Sequence, residues 1–155
     1  MSPESDTILL VEDDPADARL IQRAFTKAGL TASVIRLSNG DDAVAYLDGQ
    51  NPYENRVAHP LPTLLILDIK LPRRTGLEVL KWLRGRPDGL SRLPTIMLTS
   101  SKHAADVNRA YDYGANSYLA KPETSEGLVA IAAAITQYWL KLNEDPTLSG
   151  GAPHG

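Results

Sequence analysis

Residues 7–15 have the sequence TILLVEDDP, in which an apolar, β-branched run is followed at once by three acids and a proline. A short run of this composition is typical of a strand that is buried on both faces of a sheet. Asp14 is a favourable helix N-cap, and Pro15 suits the first position of a helix. The stretch therefore predicts a buried strand over 7–11 and a helix that begins at Pro15 and ends at Gly29.

The same strand-then-helix unit recurs along the chain. Apolar runs predict four more strands, over 33–37, 63–67, 94–98 and 117–120. Apolar residues at helical spacing predict four more helices, over 41–47, 76–84, 104–113 and 124 to about 142. Five strands alternating with five helices predict a single α/β domain with a doubly wound, five-stranded parallel sheet of the flavodoxin-like kind. We expect this domain to span 7–142, after a lead over 1–6 and before a flexible tail over 143–155.

The segment 49–62 is longer than the connections that such units normally use. Its tyrosine, its histidine and its three prolines suggest an ordered excursion. A tolerated surface insertion is an equally good interpretation.

Composition limits the function. The chain has 155 residues, no cysteine and a formal net charge of −3 at pH 7. The absence of cysteine excludes a disulfide framework, a zinc finger, an iron–sulfur site and a thiol nucleophile. The negative charge argues against a nucleic-acid-binding surface, and the longest apolar stretch, 128–135, is far shorter than a membrane span. With no secretory signal in the polar start of the chain, we expect a cytoplasmic protein that binds neither nucleic acid nor a membrane.

Polar side chains lie at the ends of four of the five predicted strands. Glu12 and Asp13 follow the first strand, Asp68 follows the third, Thr99 follows the fourth and Lys121 follows the fifth. In a parallel sheet these ends form one edge, where ligands bind. Clustered carboxylates repel one another, and Mg²⁺ relieves that repulsion while also binding phosphate oxygens. Thr99 could donate a hydrogen bond to a phosphoryl group, Lys121 could supply positive charge, and Asp68 could attack phosphorus.

Each of these residues also has an ordinary structural interpretation. Glu12 and Asp13 could simply end a strand, Asp68 could cap a turn, and Lys121 with Pro122 could mark a turn. Their combination at neighbouring strand ends, in this order, is what favours a site for phosphoryl chemistry.

These motifs resemble the receiver domain of two-component response regulators over about residues 7–142. The segments that carry the resemblance are 10–15, 65–72 with Gly76, 96–100, 113–115 and 118–122. Thr99 follows Asp68 by 31 positions, and Lys121 follows Thr99 by 22, which fits the spacing in that family.

The resemblance implies a role for each residue of the predicted site. Asp68 would be the phosphoryl acceptor, and Thr99 and Lys121 would be the pair that senses the phosphoryl group. Tyr118 would be the aromatic residue that moves inward when the Thr99 hydroxyl moves, and the Lys121–Pro122 bond would be cis. The cofactor would be Mg²⁺, with ligands from Asp13 directly, Glu12 through water, Asp68, and the backbone carbonyl of Lys70.

A receiver domain implies a sensor histidine kinase as partner and phosphoryl donor. It also implies a protein that is not an enzyme, beyond catalysing its own phosphorylation and dephosphorylation. A narrower resemblance, carried by 12–17, 49–62, 111–113 and 138–140, points to single-domain regulators that partner bacterial phytochrome kinases. The resemblance also implies that the fourth helix, fifth strand and fifth helix form the face that signals to a partner protein or to a second copy. The last predicted helix has two apolar stripes, one more than covering the sheet requires, which favours a homodimer.

Two other functions are compatible with part of this pattern. A phosphatase of the haloacid dehalogenase class also uses an aspartate at a strand end, but it would need a second aspartate where this chain has Lys70. A pseudo-receiver, which folds without being phosphorylated and serves as a binding module, is the main alternative, although the set of Asp13, Asp68, Thr99 and Lys121 is complete.

Overall fold

The computed structural model describes residues 6–148. The strands are β1 (Thr7–Val11), β2 (Ser33–Leu37), β3 (Leu64–Leu67), β4 (Thr95–Thr99) and β5 (Ser117–Ala120). The helices are α1 (Pro15–Lys27), α2 (Gly40–Asp48), α3 (Gly76–Arg84), α4 (Ala104–Asp112) and α5 (Ser125–Ile135), with a 3₁₀ helix (Gly89–Arg92) before β4 and a π-helical segment (Thr136–Leu142) after α5. Most of the predicted lead and the second half of the predicted tail lie outside the described residues.

The strands form one parallel sheet in the order β2-β1-β3-β4-β5. This confirms the predicted doubly wound, flavodoxin-like architecture. The register places the ends of neighbouring strands side by side, since Val11 pairs with both Leu37 and Leu67, and Thr99 pairs with Ala120. The residues that follow the strands therefore lie along one edge of the sheet, called the carboxyl edge below; the opposite edge is the amino edge.

Side chains alternate between the two faces of the sheet, as a period of two requires. On β1, Leu9 and Val11 pack with residues of α2, α3 and α4, whereas Ile8 and Leu10 pack with residues of α1 and α5. All four side chains are buried. Both faces are thus covered by helices, which explains why residues 8–11 of β1 are all apolar and do not alternate with polar residues.

The start of α1 is as predicted. The carboxylate of Asp14 accepts hydrogen bonds from the backbone amides of Ala16 and Asp17, and Pro15 occupies the first helical position. Within residues 6–148, no helix has both the length and the hydropathy that crossing a membrane requires.

The C-terminal helix differs from the prediction of one helix over 124–142. α5 ends at Ile135, and the chain continues as a π-helix to Leu142. Thr136 is buried, and its hydroxyl donates to the carbonyl of Ala132 over 2.8 Å, an arrangement that competes with regular helical geometry. The 3₁₀ helix before β4 was also missed by the sequence patterns.

The segment 49–62, which connects α2 to β3, is an ordered excursion. The rings of Tyr46, Tyr53 and His59 contact one another, with centroids 5.1, 5.2 and 6.0 Å apart. Arg56 donates to two carbonyls in the last turn of α2 and so holds the segment against that helix. These contacts favour the first of the two interpretations of this segment.

Residues 143–148, the described part of the predicted tail, contact the domain. The carbonyl of Thr147 accepts a hydrogen bond from Arg92, and Leu148 packs against the core beneath α3. The remaining tail residues lie outside the described part of the chain, so the flexibility of this segment stays a prediction.

Arg84 ties the end of α3 to the connection that precedes β4 and to the connection between α4 and β5. Its guanidinium donates to the carbonyls of Ser91, Leu93 and Gly114 and to the side-chain oxygen of Asn116, at 2.8 to 2.9 Å. One cation thus serves four acceptors that belong to two different connections.

The Arg84→Met substitution should lower the free energy of unfolding by about 3 kcal/mol, because partly buried acceptors would lose a charged donor. Urea denaturation followed by circular dichroism measures this change. Arg23→Met is the matched control, since Arg23 is exposed on α1 and its side chain donates no hydrogen bond within residues 6–148; it should change stability by less than about 0.5 kcal/mol. Equal stability of the two variants would contradict the assigned role of Arg84.

Candidate functional site

The hydrogen-bond ladder of the sheet extends one residue beyond three of the strands. The amides of Glu12, Asp68 and Lys121 each donate to a carbonyl at the end of the neighbouring strand, over 3.0, 3.2 and 2.8 Å respectively. The backbone of these residues is therefore positioned by the sheet itself, and their side chains meet at the carboxyl edge.

Three carboxylates meet there. One oxygen each from Glu12, Asp13 and Asp68 lies within 4.8 Å of the others. Glu12 and Asp68 are only 1% and 6% exposed, whereas Asp13 is exposed. Arg36 of β2 donates to the backbone carbonyls of Glu12 and Asp13 at 2.9 and 3.0 Å. A guanidinium from the neighbouring strand thus holds the loop that supplies two of the three carboxylates.

Lys121 places its ammonium group among carboxylates. Its Nζ lies 2.5 Å from Glu12 Oε1, 2.9 Å from Asp68 Oδ2 and 3.0 Å from Asp17 Oδ2. Burial alone would lower the pKa of Lys121, but its bonds to these three carboxylates outweigh burial and raise the pKa above its ordinary value. Lys121 therefore remains charged across the neutral range.

The ionised form of Glu12 is disfavoured by burial. Burial raises the pKa of Glu12 to about 7; the contacts with Lys121 and with the amide of Asp14 oppose this shift, and the charge of Asp68 adds to it. Its Oε1 atom is buried and accepts no hydrogen bond of good geometry within residues 6–148, although the Lys121 ammonium is close. The Lys121 ammonium alone therefore does not provide a hydrogen bond of good geometry to every buried carboxylate oxygen of this cluster.

These residues fit a hard divalent cation. Clustered carboxylate oxygens, one of them buried without a good hydrogen bond, are the ligands that Mg²⁺ and Mn²⁺ prefer. Glu12, Asp13 and Asp68 would hold the cation, and all three were predicted as ligands. The backbone carbonyl of Lys70, the fourth predicted ligand, accepts no hydrogen bond within the described residues and stays a prediction.

Thr99 and Tyr118 are both hydrogen-bonded to Ser101, which lies in the loop between β4 and α4. Thr99 is fully buried, and its hydroxyl oxygen accepts a hydrogen bond of 3.4 Å from the Ser101 amide. The hydroxyl of Tyr118 donates to the Ser101 carbonyl over 2.9 Å. Thr99 and Tyr118 are thus linked to each other through Ser101. Within residues 6–148, the Thr99 hydroxyl makes no hydrogen bond to the acidic cluster.

Gly76 brings the start of α3 against the backbone of Asp68. A Cβ atom at this position would lie 1.9 Å from the Asp68 carbonyl oxygen, so only glycine permits the approach. The Gly76 amide also donates to the carbonyl of Ile69 over 2.8 Å. α3 thus supports the loop that carries Asp68.

The expectation of a cis bond before Pro122 is wrong. Within residues 6–148, the cis peptide bond is the one between Asn51 and Pro52, and the Lys121–Pro122 bond is trans. Trans is the isomer that most X–Pro bonds adopt in folded proteins.

Two residues of the site were not predicted: Asp17 and Arg36. In the sequence, Asp17 has the ordinary role of an acid in the first turn of a helix. Arg36 interrupts an otherwise apolar stretch of β2, which was a usable signal that its side chain serves a specific contact.

Comparison with known proteins agrees with this geometry. The chain matches the response regulator receiver domain family over residues 8–133. It is 38% identical over 144 residues to response regulator Rcp1 of Synechocystis. This alignment covers 91% of this chain and 95% of that protein. The structure of the phosphorylated cyanobacterial phytochrome response regulator RcpA is similar, with a TM-score of 0.84 at 34% identity over 92% of this chain and 99% of that one. The Mn²⁺-bound form of Rcp1 has a TM-score of 0.82 at 35% identity, with the same coverage.

Binding of a divalent cation should release a proton below about pH 7. Because a bound cation requires ionised Glu12, whose pKa without the cation is about 7, the apparent affinity for Mg²⁺ should rise about tenfold from pH 6 to pH 8 and level off above that. Isothermal titration calorimetry measures both the affinity and the proton release. Glu12→Gln should bind Mg²⁺ more weakly and lose this pH dependence; an unchanged pH profile in that variant would contradict the assignment.

Proposed function

The chain belongs to the response regulator receiver domain family, and on this basis we propose that Asp68 accepts a phosphoryl group from a histidine kinase, with Mg²⁺ as the cofactor. The observation that carries the proposal is the 2.9 Å contact between Lys121 Nζ and Asp68 Oδ2. It puts a nearly buried carboxylate and a fixed positive charge together at the carboxyl edge. We further propose that the chain acts in the cytoplasm and catalyses only its own phosphorylation and dephosphorylation.

In the proposed transfer, a carboxylate oxygen of Asp68 attacks the phosphorus of a phosphohistidine. The P–N bond breaks as the P–O bond to Asp68 forms, and the histidine nitrogen leaves with the electron pair. Lys121 is placed to stabilise negative charge on the transferring oxygens. Mg²⁺ held by Glu12, Asp13 and Asp68 would supply the positive charge that offsets repulsion between these carboxylates and the incoming group.

Thr99 and Tyr118 are proposed to transmit the phosphorylated state. If the Thr99 hydroxyl turns to donate to the phosphoryl group, its contact with the Ser101 amide changes. Because Tyr118 is bonded to the carbonyl of the same Ser101, a shift of this loop changes how Tyr118 packs. The surface formed by α4, β5 and α5 is therefore proposed as the output face.

The histidine kinase is proposed to be a phytochrome. The protein RcpA, to which this chain is similar, is a phytochrome response regulator. The similarity covers 92% of this chain and 99% of that one.

A homodimer through the output face is supported by an apolar groove beside β5. β5 is one of the two edge strands of the sheet, and the groove between it and α5 is lined in part by Leu119, Ile131, Tyr138 and Trp139. Tyr138 is 53% exposed and lines this groove, so its ring is accessible to a partner. An edge strand next to an apolar groove suits pairing with a second copy.

Incubation with acetyl phosphate and Mg²⁺ should add one phosphoryl group to the chain, as measured by intact-mass spectrometry. Asp68→Asn should abolish the addition because it removes the attacking carboxylate. Chelation of the divalent cation should also prevent it, because the carboxylates would then repel the anionic donor.

Asp14→Asn is the matched control for this experiment. It removes one carboxylate from the same edge while keeping a side chain that caps α1, and it should still be phosphorylated. Phosphorylation of Asp68→Asn at the wild-type rate would disprove the choice of acceptor. A wild-type chain that is modified neither by acetyl phosphate nor by a phytochrome kinase would instead be a pseudo-receiver.

Tyr138→Asp should weaken the homodimer, because the groove would then bury an unpaired charge. Size-exclusion chromatography with light scattering, with and without phosphorylation, measures the mass. Val57→Asp is the control, since Val57 is 93% exposed in the 49–62 loop and lies outside the output face; it should leave the mass unchanged. A wild-type monomer in both phosphorylation states would rule out the dimer.

A further inference from the structure

Asp17 contacts Lys121 but has no part in the proposed chemistry. It is the third residue of α1, and the cap that Asp14 provides holds this first turn in place. Its Oδ2 atom accepts a hydrogen bond of 3.0 Å from Lys121 Nζ. The Asp17 side chain is 40% exposed, against 8% for that of Asp68, so Asp17 contacts the ammonium from outside the buried cluster.

Two of the three protons of the Lys121 ammonium are hydrogen-bonded, to Asp17 and Asp68, and the Glu12 carboxylate is a close ion-pair partner. An ammonium has three donors, and three carboxylates lie within 3.0 Å of this one. A phosphoryl group on Asp68 would need one of these donors for its own oxygens. Asp17 is outside the set of carboxylates that lie within 4.8 Å of one another, so it is not among the carboxylates that would hold the cation.

We propose that Asp17 is a positioning residue that competes with the phosphoryl group for Lys121 and thereby weakens the hold of the site on that group. The inference rests on the proposed function, because it concerns the strength of phosphoryl binding at Asp68. Both effects of the Asp17 carboxylate act in this direction, since it holds the ammonium toward α1 and also repels an anionic group near Lys121.

The test uses beryllofluoride, an analogue of a phosphoryl group bound to a carboxylate, at a fixed concentration of Mg²⁺. Calorimetry should show that Asp17→Asn binds beryllofluoride about fivefold more tightly than the wild type, the size expected for losing a partly exposed ion pair. Asp17→Glu keeps a carboxylate within reach of Lys121 and should stay within about twofold of the wild type. Asp14→Asn removes the same charge from the same edge without a contact to Lys121, and it should also stay within about twofold.

A Lys121→Met background separates competition for the ammonium from simple repulsion. In that background, Asp17→Asn should no longer increase the affinity for beryllofluoride. An equal increase with and without Lys121 would overturn the proposal, as would an unchanged or weaker affinity of Asp17→Asn in the wild-type background, or an Asp17→Glu variant that behaves like Asp17→Asn. A wild-type chain that binds no beryllofluoride and accepts no phosphoryl group would instead overturn the proposed function, and this inference with it.

Discussion

A single ammonium group, that of Lys121, holds together carboxylates that would otherwise repel one another. Glu12 and Asp68 are buried, and burying two negative charges without a counter-charge is strongly unfavourable. Lys121 reaches them only because β5, β3 and β1 run in parallel and end at the same level of the sheet. A slip of one residue in any of these strands would turn its side chains to the other face and separate the charges.

This dependence on strand ends explains how much of the site could be predicted. The runs of β1 and β3 are buried on both faces, so a carboxylate directly after each run stands out from its surroundings, and Asp68 and Glu12 were found in this way. Asp17 and Arg36 could not be found so directly, because each acts on a residue of another element, and the pairing of those elements is a property of the tertiary structure. The change to a π-helix after Ile135 was missed for a related reason: it involves a buried Thr136, and the apolar pattern shows no break there.

Ser101, in the loop between β4 and α4, connects the site at the carboxyl edge to two neighbouring elements. Ser101 donates its amide to Thr99 and accepts a hydrogen bond from Tyr118, and its own hydroxyl donates to Asp106 at the start of α4 over 2.6 Å. Three elements therefore meet at one residue of a short loop. The loop is hydrogen-bonded to both α4 and β5, over 2.6 and 2.9 Å.

The 49–62 loop has a consequence for engineering. It leads into β3 at the amino edge, at the opposite ends of the strands from Asp68, and it is held to α2 by Arg56 and by its own aromatic rings. Val57 is almost fully exposed within it. A fluorescent protein or an affinity tag inserted beside Val57 would therefore be attached to a loop that is held against α2, away from both the acidic cluster and the output face. This makes the loop a suitable attachment point for a reporter of kinase activity in living cells.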